Sequence, residues 1–424
     1  MKNNVLFPAT ILLPKTNNMT AWSVVACDQY TSEPSYWNQV KQYVKDAPST
    51  YHTVFPEVYL KTADFDGMIN GINLSMQRYL DDGLFQEYAN TYFYIERTQK
   101  NGKIRKGIIG AVDLECYDYA KGSQSAIRAT EGTVLERIPP RVKIRENAPL
   151  ELPHVMLLID DEKKEIIESL GKHTEQFKKV YDFPLMQNSG SIKGYELPQT
   201  FIEKINTAIH LLGDQNHFNQ RYHVSDKDVL LFAVGDGNHS LATARQCYLN
   251  LKEKIGEEKA RNHPARYALV EIVNLHDESL EFEAIHRVIF DVNPKEVMDA
   301  FTKRYILSET PTTNSQQIEV VVNDTIKTVY ITNPTLNLAV GSLQEFIDEY
   351  LAAHSGEVDY IHGEDVVKSL CAENKSSIGF ILPSMDKNDL FKTVILDGAL
   401  PRKTFSMGEA CDKRFYLEAR KISE

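Results

Sequence analysis

The 424-residue sequence predicts an α+β fold: a mixed sheet with packed helices over residues 1–292, followed by a smaller C-terminal α+β region over 293–424. Three observations predict it. Apolar runs of strand length, "LLFAV" at 230–234, "YALVEIV" at 267–273 and "EAIHRVIF" at 283–290, alternate with stretches of helical spacing. Asn101-Gly102 stands between two β-rich runs as a hairpin turn. From Asn293 the texture changes to a helix, a Thr/Ser/Asn-rich link and a hairpin around Asn323-Asp324, which sets the domain boundary.

Taken in order, Trp22 to Ala26 reads as a short buried strand that runs into a polar turn, Asp28 to Glu33, before a helix opened by Pro34. Polar turns after strands are where ligand groups sit, so Asp28 and Glu33 are candidates. Arg128, Arg137, Arg141, Lys143 and Arg145 then fall within eighteen residues. They form either a solvated helix face with Glu131, Glu136 and Glu146 as partners or an anion clamp, because the guanidinium fork suits phosphate oxygens. Residues 160–183 are charged and amphipathic, the pattern of a surface helix or two. A Gly/Ser turn and a helix from about Pro198 follow, and the tail adds a helix, the strand "IGFIL" and another helix.

Composition narrows the function classes. Hydrophobic residues at 42% and charged residues at 25% fit a globular chain. A formal charge of -12 counts against a phosphate-backbone partner, so no nucleic acid is expected. Cys27, Cys116, Cys247, Cys371 and Cys411 are scattered, without Cys-x-x-Cys pairs, and read as reduced thiols of a cytoplasmic protein. Pro8 and Pro14 interrupt the N-terminal apolar run and no segment reaches 18 unbroken apolar residues, so neither a signal peptide nor a membrane partner is expected.

The most informative stretch is "AVGDGNHSLATARQ", where a strand ends in Gly235-Asp236-Gly237 and a helix begins. Backbone N–H groups at such a helix start, together with the helix dipole, favour an anion. The glycines allow close backbone approach, and Asn238, His239 and Ser240 add side-chain hydrogen-bonding groups. The turn is neither a Walker loop nor a dinucleotide fingerprint. Without a ligand, it would be a tight turn capped by Asn238 or Ser240, with Asp236 fixing its own backbone.

At this motif the chain resembles the bacterial and archaeal family catalogued as domain of unknown function 1015, whose members carry Gly-Asp-Gly-His-His-Arg after a hydrophobic strand. "VVACDQYTSE", "ATEGT", "AIHRVIF", "YIHGED" and "LPRKTFSMG" resemble further segments of that family. The turn also looks like the phosphate-binding turn of the ParB and sulfiredoxin superfamily, which includes free-serine kinases. The resemblance implies a ParB/sulfiredoxin-like element in the main domain, with nucleotide or pyrophosphate oxygens on the helix N-terminus and a small hydroxylated substrate alongside. Ser240 stands where the superfamily has a phosphate-binding arginine.

Substitute cations are Arg287, Arg141, Arg245 and Lys403. Asp28, Glu33, Glu131 and Asp236 are candidate bases; Asp236 is also a candidate Mg²⁺ ligand and His239 a catalytic candidate, while Glu33, His286 and His362 are placed at the substrate. Each has a structural alternative: Glu131 as a first-turn acid, His286 and Arg287 as a surface strand end, His362 as a loop histidine. The leading expectation is a small-metabolite kinase, with free serine as one substrate, using ATP, ADP or pyrophosphate with Mg²⁺. The rivals are a non-catalytic nucleotide or phosphometabolite sensor and, least favoured by the charge, a DNA-associated protein.

Overall fold

Strand pairing separates the chain into two units. A computed structural model describes residues 4–60, 64–133 and 135–423. Met1–Leu280 and Glu409–Glu424 belong to one unit, Glu281–Gly408 to the other. The transition expected at 292/293 thus falls at 280/281, and the chain end rejoins the first unit. The physical reason is the strand Phe282–Phe290, which pairs with Glu357–His362, Ser377–Ile381 and Phe405–Met407, all in the second unit. Its apolar pattern marks a strand but not which sheet it joins.

The first unit is built on a mixed sheet. Its strands run in the order Lys178–Pro184, Ser191–Glu196, Phe93–Thr98, Ile104–Asp113, Tyr267–Asn274, Met156–Ile159, Phe232–Asp236, Ile127–Ala129 and Tyr117–Asp118, with Leu6–Phe7 also paired to Ile104–Asp113. The Asn101-Gly102 hairpin forms as expected, joining Phe93–Thr98 to Ile104–Asp113. Phe232–Asp236 lies parallel to Ile127–Ala129 and antiparallel to Met156–Ile159. Buried on both faces, this central region needs the continuous apolar run that the sequence supplies. Ala129 stands opposite Val234, and Met156 opposite Asp236. Two strands therefore end, and one begins, at the same edge of the sheet.

Two local expectations need correction. Trp22 closes the short helix Met19–Trp22, and Val25 makes a single bridge to Phe415 instead of joining a ladder. The segment is buried as its apolar residues require, but its partner comes from the far end of the chain. Within residues 160–183, Glu168–Gln176 is a 3₁₀ stretch and Lys178–Pro184 a strand. Gly171 interrupts the helical pattern where a Cβ would stand 2.9 Å from the Tyr94 hydroxyl, and Tyr181 and Phe183 then alternate inward.

In the second unit, strands run in the order Leu307–Ser308, Thr325–Ile331, Gln316–Val322, Ser377–Ile381, Phe282–Phe290 and Glu357–His362. Phe301, Phe346 and Phe380 anchor its core. Among the described residues, no helix is long and apolar enough to cross a membrane.

A buried ionic network ties the returning C-terminal segment to the first sheet. Glu271 accepts from Arg105 Nε at 3.1 Å and from Arg414 Nη1 at 2.7 Å. Arg414 also bonds Glu418, whose other oxygen accepts from the Tyr181 hydroxyl. Burial works against the Glu271 carboxylate, but Arg105 and Arg414 outweigh it and hold its pKa below the usual range. Glu271→Gln leaves two buried guanidinium groups short of charge. Its expected cost is about 3 kcal/mol or more, visible as a lowered urea midpoint at pH 7; a midpoint equal to that of the parent chain refutes the assignment.

Candidate functional site

At the shared sheet edge, Phe232–Asp236 ends and the 18-residue helix Asn238–Ile255 begins. Gly237 is the N-cap residue, at φ 81 and ψ 29. That left-handed conformation favours glycine, and a Cβ would stand 3.0 Å from Val155 Cα. Neither Asn238 nor Ser240 caps the helix; its N-cap makes no side-chain hydrogen bond. The N-cap residue therefore offers no side-chain acceptor to the first-turn N–H groups. Asn238 Oδ1 and Thr133 Oγ1 are enclosed and have no hydrogen-bond partner among the described residues. Enclosed polar atoms without partners are rare, which marks this edge as built for something more.

Asp236 divides its two oxygens. Oδ1 accepts from the Gly237 N–H at 3.1 Å, and Oδ2 lies 3.6 Å from Lys413 Nζ. On the neighbouring strand, Thr130 donates to the Val234 carbonyl at 2.7 Å, which places Glu131, half-buried, next along that edge.

Asp28 comes from the turn after Cys27. Burial opposes its ionisation, yet His154, the Gln29 amide and Lys413 prevail and lower its pKa. His154 Nε2 lies 3.9 Å from Asp28 Oδ2, while its Nδ1 is 2.7 Å from the Tyr416 hydroxyl. That hydroxyl also accepts the Cys27 N–H at 3.1 Å, so it links Cys27 to His154, and Nε2 is the ring nitrogen on the Asp28 side. Burial, Cys27 and Asp28 hold the Tyr416 phenol well above its ordinary pKa.

A basic helix, Ile138–Arg145, packs beside Asn238–Ile255. Arg141 pairs with Glu57 and donates to the Arg137 carbonyl at 2.8 Å. Burial, Arg141 and Arg137 push the His239 imidazole down to about 4, with Asp28 opposing. His239 is therefore neutral at pH 7, able to donate from one nitrogen and accept at the other.

The structure thus brings together Asp28, Asp236, His239 and Arg141 with the glycine turn, and sets Glu131 on the adjoining strand end. Glu33 is exposed at the start of Pro34–Val44, and Arg245 pairs with Asp118 at 2.9 Å. The other candidates lie in the second unit. Arg287 is buried, bonds Gln344 at 3.2 Å and the Arg402 carbonyl at 2.9 Å, and stacks over Tyr360. His286 is buried and accepts the Leu382 N–H at 3.2 Å, whereas His362 and Lys403 are exposed.

Sequence reasoning missed His154, Glu57, Tyr416 and Lys413. His154 carried a legible signal, a polar residue immediately before the apolar run "VMLLI". Lys413 and Tyr416 carried none, because nothing local shows that the chain end returns to this sheet.

Residues 7–350 match the model of the family described as "Protein of unknown function (DUF1015)". No curated protein matches. Solved structures similar to the chain include a conserved hypothetical protein from Pyrococcus furiosus, at 10% identity and TM-score 0.35, covering 74% of this chain and 94% of that one. A free serine kinase in complex with AMP matches at 10% identity and TM-score 0.37, covering 74% and 90%. SbnI from Staphylococcus aureus, truncated at its C-terminus, matches at 9% and 0.36, covering 74% and 87%.

The depressed His239 pKa makes stability depend on acid. Unfolded, the ring takes a proton near 6.5; folded, it does so only near 4, so between these values the unfolded chain binds more protons. This contribution is fully present above pH 6.5 and is lost as pH falls toward 4. His239→Gln is expected to lose less stability than the parent chain between those limits, as read from urea midpoints. Identical slopes for the two proteins exclude a neutral, desolvated His239.

Proposed function

We infer that this chain, which belongs to the DUF1015 family of unknown function, is a phosphotransferase acting on a small hydroxylated metabolite, free serine being one such substrate. The observation that carries this reading is the gathering of Asp28, Asp236 and His239 with Arg137, Arg141 and Lys413 at an uncapped helix N-terminus. Phosphoryl transfer asks a protein for positioned charges and a group for the hydroxyl proton, which is what this set supplies.

In this reading, the phosphate oxygens of ATP, ADP or pyrophosphate rest on the N–H groups of Asn238, His239 and Ser240, and the arginines face the remaining charge. Asp28 orients the substrate hydroxyl. Its oxygen bonds to the terminal phosphorus, the bond from phosphorus to the bridging oxygen breaks, and the hydroxyl proton passes to Asp28 and on to water. His154, fixed by Tyr416, holds Asp28 in place. No group of three or more His, Cys, Asp or Glu among the described residues is arranged to hold a metal ion. In this reading magnesium comes with the donor, held by its phosphates and one or two carboxylates, of which Asp236 is the one at the turn.

One observation favours a second reading, a sensor that binds the phosphorylated ligand without chemistry: the lowered pKa of Asp28 makes it a weak base.

The decisive experiment screens phosphate donors against hydroxylated amino acids and sugars with magnesium present. Turnover is expected with at least one pair. Asp28→Asn should then lower kcat by roughly 100-fold or more, with donor affinity nearly unchanged. Donor binding without turnover selects the sensor, and the absence of any donor binding excludes both readings.

A further inference from the structure

Cations around the turn differ in how far their hydrogen-bonding capacity is already used. Arg141 is taken up by Glu57 and the Arg137 carbonyl. Arg145 bonds Glu151, and Arg245 pairs with Asp118. Arg414 and Arg420 are held by carboxylates and backbone carbonyls on every side. Arg245 Nη1 is enclosed without a hydrogen bond, and Arg137 is exposed to water. Lys413 is enclosed beside the turn. Its side chain is only 15% exposed, yet its ammonium makes no hydrogen bond to a described residue and meets Asp236 Oδ2 at 3.6 Å, beyond hydrogen-bond range. A largely enclosed ammonium with three donors to place is costly unless something accepts them.

Its position tells what that acceptor is. Lys413 acts electrostatically on Asp28 while it lies beside Asp236, so it stands between the two carboxylates that flank the turn. Asp236 already gives one oxygen to the Gly237 N–H. The basic residue of the first helical turn is His239, and it is neutral. A ligand phosphate at the start of this helix would thus meet, besides the exposed Arg137, an enclosed ammonium with unused donors, and it comes from the C-terminal segment.

Resting on the reading of this edge as a phosphoryl-transfer site, we propose that Lys413 is the residue that binds the donor's phosphate oxygens. The segment Glu409–Glu424 thereby contributes a ligand-contacting group. The class of ligand it selects is a polyphosphate, pyrophosphate or the phosphate chain of a nucleotide, in preference to an uncharged or singly charged metabolite.

Isothermal titration of the full chain with inorganic pyrophosphate, magnesium present, tests this. Lys413→Met is expected to weaken binding by about tenfold or more, the worth of a charge-assisted hydrogen bond. Lys413→Gln replaces it where Lys413→Met does not fold. Lys413→Arg, which keeps the charge, should bind more tightly than either. A merely structural Lys413, offsetting Asp236, is separated by a cycle. Lys413→Met combined with Asp236→Asn must still bind tenfold more weakly than Asp236→Asn alone. Equal affinity of those two proteins, a smaller loss for Lys413→Met, or an arginine variant as weak as the methionine variant overturns the role of Lys413 and leaves the phosphotransferase reading standing. A parent chain that binds neither pyrophosphate nor ATP overturns that reading and this one together.

Discussion

Four charged residues with almost no access to water, Arg105, Glu271, Arg414 and Glu418, decide where the chain end goes. Buried ion pairs contribute little net stability against a well-packed apolar alternative, because desolvation consumes most of the Coulombic gain. Their force lies in what they forbid. Shifting Glu409–Glu424 by one residue relative to Tyr267–Asn274 would leave at least one guanidinium and one carboxylate buried without a partner, at several kcal/mol each. Only one docking register satisfies all of them. In that register Val25 bridges Phe415, Ala419 bridges Leu12 and Arg420 reaches Glu151.

The site inherits its geometry from that register. Lys413 and Tyr416 flank Arg414, so anchoring one guanidinium sets both neighbours. The same anchor reaches the other side of the site, because Arg414 Nε donates to the Pro153 carbonyl at 3.0 Å, directly before His154. Tyr416 then contacts one ring nitrogen of His154, and the other ring nitrogen faces Asp28. A chain of single contacts thus connects a structural network to a carboxylate at the sheet edge.

Much of the architecture was legible because it rests on local rules. The Asn101-Gly102 hairpin, the Pro34 helix start and the strand-to-helix passage through Gly237 follow from turn chemistry and periodicity, and all three are present. The half of the site lying within that passage and the nearby basic helix was legible for the same reason: Asp236, His239 and Arg141 sit on elements whose form their own neighbours dictate. The remainder depends on long-range pairing. Trp22 to Ala26 has the composition of a strand, but its strand-like pairing among the described residues is the short stretch around the Val25–Phe415 bridge, almost four hundred residues later. The helical appearance of residues 160–183 yields to the demand that Tyr181 and Phe183 face the core. Ionic partners such as Lys413 leave no periodic trace, since a lone lysine reads as a solvated surface residue until its neighbours are known.

In the phosphotransferase reading, the charge balance at the turn bears on how an acidic chain would hold an anion. Asp28, Asp236, Glu57 and Glu131 stand against Arg137, Arg141 and Lys413, so the site offers no net positive field to draw a phosphate from a distance. In that reading its capacity is directional: Gly237 offers no side-chain acceptor at the helix start, His239 is neutral, and the Lys413 ammonium makes no hydrogen bond to a described residue. A protonated His239 would add charge to a neighbourhood that already holds two arginines, and the surroundings prevent it by pushing its pKa to about 4. Selectivity of this kind comes from the number and placement of acceptors on the ligand more than from its total charge. A phosphate chain, with several oxygens at fixed spacing, meets that condition better than a carboxylate of equal charge.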